Sequence, residues 1–166
     1  YLYNKFSSLL EGAVFFEENN QLRPLTQSNF GLLAILNKDY IVHTKHTKDD
    51  YKTISINREN DQEVVLPANM LPEKCQFNDS SSIILWCAVD FKYDTAKFVE
   101  SWYKGTTKSS DTLWEINLSN GNATIHGTFS KMASRDIDVS KLAQKEFLIF
   151  FTNKNDGTLW LYDLSQ

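Results

Sequence analysis

Apolar and polar residues alternate along this chain in short runs, and turn-forming residues separate the runs. Ala13–Phe16 is the first apolar run. Phe30–Leu36 and Tyr40–Thr44 flank Asn37-Lys-Asp39, a composition that predicts a hairpin. Tyr51–Ile56 is rich in β-branched residues, and alternation places Ile54 and Ile56 on one face. Glu63–Leu66 follows, after which Pro67 and Pro72 mark an irregular connection. Ser82–Lys92 predicts a long strand with Ile84, Trp86, Ala88 and Asp90 on one face. Lys97–Tyr103 and Thr112–Leu118 read as the next strands. Ser119-Asn-Gly121 is the strongest hairpin signal, because Asn-Gly supplies the positive φ values of a tight turn, and Asn122–Phe129 returns from it. Phe147–Thr152 and Thr158–Leu164 form a closing hairpin around Lys154-Asn-Asp-Gly157. Only Asp138–Gln144 reads as a helix, with Asp138 as N-cap before Val139, Leu142 and Ala143. About ten strands at this spacing predict an all-β fold, a sandwich or barrel of antiparallel strands with one short helix.

Length and composition narrow the class. The 166 residues fit a single domain with its own core, and no repeat, linker or low-complexity tract divides them. Four Trp, seven Tyr and eleven Phe favour strands and, where exposed, binding surfaces. A net charge of −4 argues against nucleic acid as a partner and against polybasic membrane attachment. No run approaches the roughly 18 apolar residues of a membrane span, so direct membrane insertion is not expected. Tyr1 is not an initiator Met, so the chain reads as a processed or trimmed product. Cys75 and Cys87 could meet as a disulfide in an oxidising compartment, or stand as two buried thiols. Sequons begin at Asn78, Asn117 and Asn122, but chance yields such triplets in a chain this rich in Asn, Ser and Thr.

Catalysis needs a constellation of residues, and each familiar one is missing. There is no Gly-x-Ser-x-Gly elbow, no phosphate-cradling glycine loop and no Cys-x-x-Cys pair. His43 and His46, followed by Asp49 and Asp50, are metal-ligand types. On a strand, however, residues three apart face opposite ways, and Lys45 and Lys48 would repel a cation. Cys87 with His126 as nucleophile and base is weaker than a structural cysteine in an apolar run. The chain is therefore expected to be neither an enzyme nor a holder of any cofactor.

Binding is the remaining class. Rings that stack and polar groups that meet hydroxyls are what a sugar-binding β-domain offers. Trp102 and Tyr103 fall on opposite faces of their predicted strand, so one ring is expected to be less buried. Trp160 and Tyr162 alternate with Leu159 and Leu161 in the same way. Lys131 and Arg135, in the connection after Phe129, are candidate polar contacts.

The order of features resembles the receptor-binding head of the rotavirus outer-capsid spike protein, the distal trypsin fragment. The matches run from Leu10-Glu-Gly12 through Phe30-Gly-Leu-Leu33, Tyr40-Ile-Val42 and Asp49-Asp-Tyr51. They continue with Trp86 and Asp90, then Thr112-Leu-Trp114, Asn120-Gly121, Gly127-Thr128 and Phe147-Leu-Ile-Phe150. No motif is specific alone; order and spacing carry the resemblance over most of the chain, and the divergence implies a distant rotavirus group. The resemblance implies a galectin-like β-sandwich on the virion surface, joined to the rest of the spike protein and attaching virions to host-cell glycans.

Residue by residue, Tyr103 falls where that family places a cleft tyrosine and Arg135 where it places a basic residue. Asp50 stands where sialic-acid binders have an arginine, and Asp136 and Ile137 replace an aromatic pair. An acid cannot make the bidentate contact that arginine gives a carboxylate. The resemblance thus implies a neutral or blood-group-like glycan, held at Tyr103 and Arg135 or at a shifted site near Phe30, with Trp102 and Lys131 as further candidates from the residues themselves. The cysteine spacing departs from the family. The alternative reading is a secreted or cell-surface β-sandwich that binds a protein partner.

Overall fold

The structure, a computed structural model, describes residues 2–3, 9–47, 50–91, 96–128 and 136–165. The first part of the chain holds β1 (Leu2–Tyr3), β2 (Glu11–Gly12), β3 (Val14–Glu18), β4 (Gln21–Pro24), β5 (Asn29–Phe30), β6 (Ala34–Leu36), β7 (Tyr40–Thr47), β8 (Asp50–Asn57) and β9 (Glu63–Val65). A 3-10 turn at Pro72–Lys74 leads into β10 (Cys75–Asn78), β11 (Ser81–Val89) and helix α1 (Ala96–Tyr103). The remainder is β12 (Thr112–Asn117), β13 (Ala123–Thr128), β14 (Val139–Lys145), β15 (Leu148–Asn153) and β16 (Leu159–Asp163). The strands form antiparallel sheets, and the fold is an all-β sandwich with a single short α-helix among the described residues.

The sheet β10-β11-β12-β13 is the centre of the packing. Alternate residues of a strand point to opposite faces. Leu85, Cys87 and Val89 join Trp114 and Ile116 against Tyr40 and Val42 of the sheet β2-β5-β7-β8-β9. Trp86 and Ala88 point the other way, with Leu113, onto Val139, Leu142, Ile149 and Phe151 of the sheet β14-β15-β16. Both faces of β11 are therefore covered, which is why Ile83–Val89 reads as an unbroken apolar run instead of an alternation. Cys75 and Cys87 are direct cross-strand partners, and their sulfurs form a disulfide inside the first of these clusters.

Three hairpins share one turn chemistry. Asn57, Asn117 and Asn153 each accept, through Oδ1, the backbone N–H two residues on. The carbonyl of each accepts the N–H four residues on, from Asp61, Gly121 and Gly157. Those three residues have φ of 57°, 74° and 72°, the left-handed backbone that closes such loops. Gly121 is doubly required, because a Cβ there would meet Val64 Cγ1 and the Val65 carbonyl at 3.3 Å.

Two elements correct the sequence reading. Residues 97–103, expected as a strand, lie in helix α1. Val99 and Trp102 are both buried against Leu33, Tyr51 and Leu71, with Phe98 beside them, so one helical face packs. Of residues 138–144, expected as a helix, 139–144 belong to strand β14. A register shift between Val139 and Lys141 turns Val139 and Leu142 to the same side, and the bulge imitates a helical spacing of three. Asp138 caps no helix.

His43 is buried in β7 and donates Nδ1–H to the Thr44 carbonyl at 3.3 Å. Among the described residues no group of ligands fit for a metal forms. Burial lowers the His43 pKa below 6.5, although Thr44 and Glu63 act to raise it. The unfolded chain therefore takes up a proton at a higher pH than the folded one. His43's share of stability is whole above pH 6.5 and is lost as pH falls from there toward the lowered folded value. Urea denaturation at about pH 7.5 and about pH 5 should show a smaller decline for His43→Gln than for the native chain. Equal declines would remove His43 as the cause.

Candidate functional site

Strand register assembles a cluster that is scattered in sequence. Trp86 on β11 lies opposite Gln76 on β10 and Glu115 on β12, and Glu115 lies opposite Thr124 on β13. Two residues beyond Thr124, the His126 ring rests on the Trp86 ring at 4.9 Å between centroids. His126 Nε2 is 2.9 Å from Glu115 Oε2. A carboxylate only accepts, so Nε2 carries the proton and donates it. Trp86, Glu115 and His126 form one wall of a cavity of about 450 Å³.

The opposite wall comes from turns. Gln144 accepts the Asp79 N–H through Oε1 at 3.1 Å and donates Nε2–H to the Glu146 carbonyl at 2.6 Å. One side chain thus ties the β10–β11 turn to the β14–β15 turn. Glu146 holds φ of 53°, and the left-handed backbone there swings Phe147 outward to 67% exposure. Asn78, Ser80 and Leu164 complete the lining.

The chemistry of the cavity is specific. Phe147 offers an exposed ring. Trp86 is only 4% exposed, and its buried indole Nε1 has no hydrogen-bond partner among the described residues, a cost of about 1–3 kcal/mol. Glu115 and Glu146 supply carboxylates, and no described lysine or arginine lines the space. The arrangement suits a ligand with a face to stack and hydroxyls to share, and it disfavours an anion.

The residues expected from sequence lie elsewhere. Tyr103 closes α1 at 36% exposure, its ring edge-on to Trp102 at 5.2 Å. Trp102 is buried, which corrects the expectation of a stacking surface made from that ring. Its Nε1–H donates to Asp138 Oδ1 at 2.7 Å, and the Lys154 ammonium sits 3.7 Å from its centroid. Phe30 is 40% exposed on β5, beside Glu11 and His46. None of the three lines the cavity. Lys131 and Arg135 lie outside the described residues. Asp136 is exposed, whereas Ile137 is buried in the second apolar cluster. Cys87 is disulfide-bonded and offers no thiol to His126.

Sequence reasoning also missed a buried ionic cluster under α1. Lys74 Nζ lies 2.7 Å from Asp111 Oδ2 and 2.9 Å from Asp138 Oδ1, and it donates to Ser109 Oγ at 2.7 Å. Ser109 in turn donates to Asp138 Oδ1 at 2.7 Å. Lysine beside serine has the look of a nucleophile and its base. All four side chains are enclosed, however, and two carboxylates hold the ammonium. The cluster therefore ties the 3-10 turn, the segment before β12 and the start of β14 together. No protein-family model matches the chain, and no curated protein matches it.

Proposed function

We propose that this chain is a glycan-binding attachment domain, not an enzyme, and that it binds a neutral sugar in the Trp86–Glu115–His126–Phe147 cavity. The observation that carries the reading is the cavity lining: the exposed Phe147 ring beside Trp86 and two carboxylates, with no described lysine or arginine. A sialic-acid carboxylate would meet Glu115 and Glu146 without a partner, whereas neutral hydroxyls can donate to both. The resemblance to the rotavirus spike head agrees with this use and supplies the setting, a virion surface where many weak sites act together.

A glycan array with the domain displayed multivalently tests the reading. Native protein should bind a class of uncharged glycans. Phe147→Ala and Glu115→Gln should each weaken that binding about tenfold or more, as loss of a stacking ring or a charge-assisted hydrogen bond does. Loss in Tyr103→Ala with Phe147→Ala unaffected would move the site to the end of α1. Absence of binding to any glycan would end the attachment reading.

One observation favours a second reading, a secreted or cell-surface domain that binds a protein. The Cys75–Cys87 bond belongs to an oxidising compartment. Mass spectrometry of natively produced chain, asking whether Asn78, Asn117 or Asn122 carries a glycan, separates the two.

A further inference from the structure

The sheet β14-β15-β16 buries one face on the central sheet, and among the described residues no apolar cluster covers the other. Register defines the outer face as three cross-strand rows. Ala143, Phe150 and Leu161 form the middle row. Lys141, Thr152 and Leu159 lie to one side, and Lys145, Leu148 and Asp163 to the other. Leu159 and Leu161 are 72% and 54% exposed, and Leu148 and Phe150 are half-buried. Both phases of Leu148–Phe151 and Leu159–Tyr162 are apolar, the pattern of strands covered on two faces.

The face is complementary to itself. A two-fold axis along β15 would lay β14 of one copy over β16 of the other and keep the rows in step. Lys145 of each copy then stands over Asp163 of its mate. Ala143 faces Leu161, small against large. Phe150 faces Phe150, and the Lys141 stem covers Leu159. A two-fold axis across the strands would instead set β14 on β14, lysine against lysine. We propose that this face docks on the same face of a second copy, with the axis along β15. Three strands of about five residues span ~250 Å² per copy, against about 800 Å² per partner in a stable complex. The pair is therefore weak, and it forms where the domain is concentrated.

Sedimentation equilibrium over a rising concentration series tests this. The mean mass of the native chain should climb from 19.2 kDa toward twice that value. Leu161→Asp, on an exposed position, should hold it at the monomer. Lys145→Asp and Asp163→Lys should each weaken self-association about tenfold or more, because like charges then meet. An equimolar mixture of the two variants should associate again, since every facing pair becomes opposite in sign. A native chain that stays monomeric throughout, or a Leu161→Asp variant that associates as well as the native chain, overturns the proposal. A mixture no better than its components overturns the stated axis.

Discussion

Exchanging Lys74 for methionine should lower the unfolding free energy by about 3–5 kcal/mol, because it leaves two carboxylates enclosed without their cation. Lys74, Ser109, Asp111 and Asp138 have almost no contact with solvent, so water cannot take over the missing role. Urea denaturation followed by tryptophan fluorescence measures the loss, and Trp102, bonded to Asp138, reports on the cluster directly. The companion variant Lys74→Met/Asp111→Asn/Asp138→Asn removes all three charges and should recover most of the loss. A Lys74→Met chain within about 0.5 kcal/mol of the native one would mean that the cluster is hydrated. Acid tests the same contacts. Burial works against the Asp138 carboxylate, but Lys74, Ser109 and Trp102 outweigh it and hold its pKa below 3.8. Asp138's share of stability is complete above the unfolded value and is lost as pH falls through the lower folded one. The lysine variant should lose that part of the acid dependence.

Reduction of the Cys75–Cys87 bond has the next largest expected effect, about 3 kcal/mol, from the closure entropy of a loop 12 residues apart in sequence. Reduction isolates that effect, since both side chains stay in place. The pair Cys75→Ala/Cys87→Ala should lose slightly more, because it also empties space in the first apolar cluster. Denaturation midpoints of oxidised, reduced and alanine forms give the comparison. Equal midpoints for the oxidised and reduced forms would show that the bond adds nothing to stability.

Strands and turns were legible where their causes are local. Asn120-Gly121 marks its hairpin because a positive φ is a property of the residue there. The helix was hidden by an ambiguity of period. Phe98 and Trp102, four apart, share a face on a helix or a strand, and only Val99 distinguishes the two. The bulge in β14 concealed a strand by the opposite route, giving it a helix-like spacing. The cavity was not legible, because Trp86, Glu115 and His126 meet only through the register of three strands. Nothing near Phe147 marks it as exposed, since the outward swing depends on the backbone of Glu146. Lys74 and Asp138 are 64 residues apart, and no local pattern announces an ion pair over that separation. The two cysteines were visible as candidates, but the register that sets them opposite one another was not.

The doubly covered strand β11 also sets where this chain can change over generations. From Leu85 to Val89 every side chain is buried, and neighbours along the strand belong to different cores. A substitution there must suit one packing without disturbing the other, so drift has almost no neutral step. Exposed hairpin-tip positions such as Glu59 and Asn60 carry no such double packing and can vary more freely. A lineage of this domain would therefore renew its outline at the tips long before the central strand lost its pattern.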